Sequence, residues 1–201
     1  MTTRKPESQA VTLLRKLGIG RSRDLERAGI SRSQIRRLHD GGVIVRVGRG
    51  LYSLPGAAIS ERRHFAEASL AVPGGVICLL SALRFHGLTT QNPFEIWMAI
   101  DRKAWRPRRT RPPLRLIYMS RPSLHEGVES HQVDGVSVRV FGAARTVADC
   151  FKFRNKVGID VAVEALRGYR RRFPRRLEEL HRFAEASRVS RILRPYLEAL
   201  G

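Results

Sequence analysis

Apolar residues recur at helical spacing at Ala10, Leu13, Leu14 and Leu17, and Gly18 and Gly20 then break the pattern, which predicts a first helix ending near residue 17. A shorter helix follows, with Ser22 as the expected N-cap, Asp24 in its first turn where a negative charge suits the helix dipole, and Gly29 as a left-handed exit. Ser31 opens a third helix, and Gln34 three residues later completes a capping box. Ile35 and Leu38 fall on its inner face, Arg32, Ser33, Arg36 and Arg37 on its outer one, and Gly41-Gly42 ends it. Val43, Val45 and Val47 then alternate with Ile44 and Arg46, Gly48-Arg49-Gly50 forms a tight turn, and Leu51-Tyr52-Ser53-Leu54 returns as a second strand.

Pro55-Gly56 closes this unit, so residues 1–56 form one expected domain and 57–201 another. Three short helices followed by a hairpin are the parts of a winged helix-turn-helix, in which the second helix braces the third against a DNA groove. The remainder is mixed. Helices are expected over 64–70 and 78–85, strands over 94–100, 114–119 and 136–141, and helices over 143–153, 159–171, 174–186 and 189–200, with Pro174 suited to a first helical turn. The fold class is α+β: a winged helix-turn-helix, then a mixed α/β domain with a small sheet and a helical C-terminus.

Charge changes the picture more than hydropathy does. The chain of 201 residues carries a formal net charge of +20, and 33 of its 38 basic residues are arginine. A globular protein this basic attracts polyanions, and nucleic acid is the first candidate. The charge is spread over three blocks, 1–56, 102–121 and 145–194, each net +8. Cys78 and Cys150 lie far apart in apolar surroundings and read as small core residues of a reducing compartment. With no apolar leader and no apolar run of membrane-spanning length, a cytoplasmic protein is expected, associated with the nucleoid if it binds DNA.

The candidate DNA-binding residues are Arg32, Ser33, Gln34, Arg36 and Arg37 on the third helix, with Arg36 the best candidate to read a base edge and Gln34 partly committed to its capping box. Arg46 and Arg49 belong to the hairpin, where an arginine can enter a narrow minor groove or hold a phosphate. Arg102, Lys103, Arg106, Arg108, Arg109 and Arg111 form the densest basic run, around Trp105. Two readings of that run stand: a second DNA contact along the backbone, or a loop that only raises non-specific affinity. No catalytic, cofactor-binding or metal-binding set is expected. His125-Glu126-Gly127-Val128-Glu129 opens like a zinc-protease motif but lacks the second histidine, and Asp101 with Lys103 beside Glu95 is a weak pattern for a magnesium-dependent nuclease.

Taken together, three stretches resemble the AbiEi family, the antitoxin and transcriptional-repressor half of type IV abortive-infection toxin-antitoxin systems. The first comprises Arg23-Asp24-Leu25, Ala28-Gly29-Ile30-Ser31, and Gly42-Val43-Ile44 running to Gly48-Arg49-Gly50-Leu51-Tyr52. The second is Cys78-Leu79-Leu80-Ser81-Ala82-Leu83 with Ile96-Trp97-Met98-Ala99-Ile100, and the third Arg145-Thr146-Val147-Ala148-Asp149-Cys150. The resemblance implies a repressor that binds inverted repeats in double-stranded operator DNA ahead of its own operon, and that counteracts a nucleotidyltransferase toxin, commonly without a stable complex. A stand-alone regulator with no toxin, and a metal-dependent nuclease, are the alternatives.

Overall fold

Ala10 and Leu14 lie one turn apart on helix α1 (Arg4–Leu17) and are buried with Leu25 of α2 (Ser22–Arg27), Ile35 and Leu38 of α3 (Arg32–Asp40), and the loop residues Ile30 and Ile44. Fully burying a Leu or Ile contributes about 1.5–3 kcal/mol, so this cluster is what draws three short helices together. The structure, a computed structural model, describes residues 4–48, 50–56, 61–107, 110 and 112–200. The chain divides into two units, Met1–Leu70 with Gln132–Ser137, and Ala71–His131 with Val138–Gly201. The first unit thus runs past Pro55-Gly56 to take in most of helix α4 (Arg63–Ala71).

Three strands complete the first unit. β1 (Ile19–Arg21) and β2 (Val45–Gly48) flank β3 (Leu51–Ser53), both antiparallel to it, with Ile19 opposite Ser53 and Arg46 opposite Tyr52. A register shift between Arg46 and Gly48 bends the hairpin. Gly18 and Gly135 take left-handed backbone (φ +71° and +75°), and a Cβ on Gly135 would lie 1.5 Å from the carbonyl oxygen of Leu17. Only glycine lets residues 132–137 approach the end of α1 closely enough for the Ile19 N–H to donate to Asp134 O at 3.1 Å.

Two local expectations are corrected here. Ser22 is the first residue of α2 and not its cap: its N–H is taken by Gly50 O (2.8 Å), while the Arg21 N–H donates to the Asp24 carboxylate (3.0 Å). The alternation of Val43, Val45 and Val47 against Ile44 and Arg46 does not hold either, because Ile44 is fully buried and Val45 is 38% exposed. The N–H groups of Val43 and Ile44 still bond to Leu38 O, so the chain is tied to the end of α3 until the strand begins at Val45.

The second unit is built on a five-stranded mixed sheet of order β6-β5-β4-β8-β7. In chain order the strands are β4 (Val76–Ile77), β5 (Ile96–Asp101), β6 (Leu114–Met119), β7 (Val128–Val133) and β8 (Val136–Phe141), with the β7–β8 turn at 132–137 belonging to the first unit. β5 and β6 are parallel, Ile96 opposite Leu114. Its helices are α5 (Leu79–His86), α6 (Arg121–His125), α7 (Ala143–Lys152), α8 (Arg154–Val157), α9 (Ile159–Arg172), α10 (Leu177–Ala186) and α11 (Ser190–Glu198). Pro174 lies ahead of α10 and not in its first turn. The chain closes there on itself, Arg176 N–H to Phe173 O (3.0 Å), and the Tyr169 hydroxyl donates to Arg176 O (2.8 Å). Cys78 and Cys150 are free and buried, and no helix among the described residues is long and apolar enough to cross a membrane.

Helix α7 packs against α5, α9 and α10 and is buried along most of its length, yet carries Arg145 and Asp149 at i, i+4 spacing. Arg145 Nε meets Asp149 Oδ2 at 3.3 Å, the Ser187 hydroxyl donates to the other carboxylate oxygen (3.3 Å), and the Arg145 guanidinium bonds Glu126 O and lies 3.6 Å over the Phe141 ring. Burial pushes the Asp149 carboxyl up, and the Arg145 charge pulls against that.

Candidate nucleic-acid interface

The outward face of α3 follows from its buried one. Ile35 and Leu38 are 3% and 5% exposed, which at 3.6 residues per turn leaves Arg32, Ser33, Arg36 and Arg37 facing solvent, as expected from the sequence. The helix start is fixed reciprocally. Ser31 Oγ accepts from Gln34 N–H (3.3 Å) and Gln34 Oε1 accepts from Ser31 N–H (2.8 Å), so Gln34 is committed to the cap and only half-buried, not presented with the arginines. Replacing Ser31 by Ala is expected to lower stability by about 1 kcal/mol, read as a shift of the urea midpoint. An unchanged midpoint would show that the capping box carries no weight.

The three arginines of α3 are not equivalent. Arg32 is held by Glu26 of α2, whose hydrogen bond raises the guanidinium above its ordinary value, and so ties the two helices together on their outer side. Arg36 reaches Asp40 at 3.7 Å, a loose pair with both side chains open to water. Arg37 forms no ion pair among the described residues and is free to take an external anion. Ser33 Oγ is 3.0 Å from Ser31 Oγ.

The hairpin that follows α3 carries Arg46, exposed, with its Nε donating to Gly48 O (3.1 Å) across the register shift. Arg49 at the hairpin turn lies outside the described residues. Tyr52 packs on the hydrophobic core of the unit, its ring edge-on to His39 with centroids 6.2 Å apart, in keeping with a packing role.

In the second unit Arg102, Lys103 and Arg106 are exposed beside Trp105, which is 95% exposed; Arg108, Arg109 and Arg111 lie outside the described residues. The root of this segment is built by Asp101. One of its carboxylate oxygens accepts from Lys103 N–H (2.8 Å) and the other from Arg121 Nε (3.0 Å), and the Lys103 N–H holds the carboxyl below its ordinary range. Both oxygens are therefore engaged in shaping a turn. The zinc-protease-like stretch is split between two elements: His125 ends α6, Gly127 turns with φ +58°, and Val128 and Glu129 begin β7, so no helix aligns its side chains. No group of three or more metal-ligating side chains occurs among the described residues.

Sequence reasoning assigned no role to Arg145 and Asp149, although their i, i+4 spacing was the available signal. Arg21 was missed as well: its guanidinium donates to Leu70 O (2.8 Å), a structural use that nothing local announces.

Residues 8–55, from α1 to the end of the hairpin, match the family model AbiEi_4, described as transcriptional regulator, AbiEi antitoxin. The motifs at 78–83, 96–100 and 145–150 lie beyond this match. No curated protein matches the chain. Over these residues the chain is thus similar to the AbiEi antitoxin family of transcriptional regulators.

Proposed function

We propose that residues 1–56 act as a winged helix-turn-helix that binds operator DNA, with α3 in the major groove and the β2–β3 hairpin alongside. The observation that carries this is the capped α3 whose buried side is Ile35 and Leu38 and whose open side is Arg32, Ser33, Arg36 and Arg37. Arg36 is the base reader and Arg37 the phosphate anchor in this reading, since Arg32 is held by Glu26. The chain then serves as a sequence-specific repressor and the non-enzymatic antitoxin of a type IV pair, autoregulating its operon at inverted repeats and counteracting a nucleotidyltransferase toxin in the cytoplasm. Support comes from the AbiEi-type N-terminal region and the net charge of +20. The basic turn at Arg102, Lys103 and Arg106 supplies additional backbone contacts.

Mobility shifts on the DNA upstream of the operon test the assignment. Arg36→Ala is expected to lose about 1–3 kcal/mol of discrimination between operator and scrambled duplex, while Lys103→Ala weakens both duplexes alike and lowers the salt slope by about one. Even losses in both variants would remove Arg36 as a base reader.

A further inference from the structure

A cavity of about 150 Å³ opens in the second unit where α7 and the end of α10 meet the β6–α6 connection. Its lining includes the buried Arg145 and Asp149, the exposed Arg102 and Lys152, and Ser123 and Ser187. Arg145 is 5% exposed and incompletely satisfied. Its Nε is taken by Asp149 and one Nη by Glu126 O, but among the described residues the other Nη meets only the Met119 thioether at 3.8 Å, a weak acceptor. A buried cation with a donor that finds no oxygen is costly, and an oxyanion in the cavity would supply the missing acceptor.

Charge and size narrow the ligand. Asp149 is already matched by Arg145, which leaves Arg102 and Lys152, neither ion-paired among the described residues, against the single carboxylate of Glu126. The cavity is therefore positive apart from the field of the whole chain. A volume of 150 Å³ equals roughly five waters at ~30 Å³ each, room for one tetrahedral oxyanion with a few waters and too little for a nucleoside. We propose that this cavity binds a small phosphate, either the free anion or the terminal group of a small monoester, between Arg145, Lys152 and Arg102, with Ser123 and Ser187 on its flank. The site shares Arg102 with the basic turn of the DNA-binding reading but does not rest on that reading.

Calorimetric titration of the full chain at fixed ionic strength tests this, with inorganic phosphate and glycerol 3-phosphate in separate runs to tell free anion from ester. A single saturable site is expected for at least one of them, weakened at least tenfold in Arg102→Ala/Lys152→Ala and unchanged in Arg36→Ala/Arg37→Ala, which removes the same charge elsewhere. All four residues are exposed, so folding should be preserved. Absence of saturation by either, or equal weakening in both double variants, would overturn the proposal. So would equally tight, Lys152-dependent binding of dimethyl phosphate, which would give the cavity to nucleic-acid backbone instead.

Discussion

Raising monovalent salt from about 50 to 200 mM is expected to weaken the operator complex by about 10³-fold, because each neutralised phosphate releases counterions and ~6 contacts give a log–log slope near −5. Under the proposed reading, six exposed basic side chains would supply those contacts. Arg36, Arg37 and Arg46 are exposed on the first unit, and Arg102, Lys103 and Arg106 on the second. Few of them are neutralised internally: Arg36 has only a 3.7 Å approach to Asp40, and Arg46 is bonded to a neutral carbonyl. Fluorescence anisotropy with labelled duplex at a series of chloride concentrations measures the slope. A complex with a slope shallower than about −2 would rest on one or two phosphates, and the groove-seated picture of α3 could not stand.

Arg145→Met is expected to destabilise the second unit by about 3–5 kcal/mol, the usual consequence of leaving one member of a buried pair behind. The side chains of Arg145 and Asp149 are only 6% and 5% exposed, so the abandoned partner meets only the few waters the adjoining cavity can hold and not bulk solvent. Exchanging both, Arg145→Met with Asp149→Leu, should recover much of the loss, since two apolar side chains carry no desolvation cost. The pH dependence has a definite sign. Burial already holds the Asp149 carboxyl above its ordinary 3.8 in the folded chain, and removing Arg145 takes away the opposing pull. The folded state then binds the proton more tightly than the unfolded state, so Asp149 costs stability as pH rises from the unfolded value through the folded one. The deficit of Arg145→Met should accordingly shrink as pH falls through that window. Urea unfolding at two pH values reads both effects, and a pH-independent loss below about 1 kcal/mol would mean the pair is hydrated.

Where periodicity is long and glycines punctuate it, residues and structure agree. β6 and β8 span 114–119 and 136–141 as expected, the latter between Gly135 and Gly142, and α3 begins at its capping box. β1 and β4 escaped because three and two residues cannot show a period; each is a strand only because β3, or β5 and β8, pair with it. The alternation was misread at the start of the hairpin, at Ile44 and Val45, because the bonds from Val43 and Ile44 to Leu38 O hold the chain to the end of α3 and bury Ile44 before the strand begins. The outward arginines of α3 were legible from the apolar residues between them. Which of those arginines is free was not, since Glu26 reaches Arg32 across a turn whose geometry only the fold defines.

The close approach of Gly135 to Leu17 joins the earliest part of the chain to a segment more than a hundred residues later. During synthesis, the amide of Ile19 must wait for the carbonyl of Asp134 until that stretch has left the ribosome. A unit assembled from both ends of such an interval matures late, and a nascent or prematurely terminated product would lack the bond that holds β1 against residues 132–137.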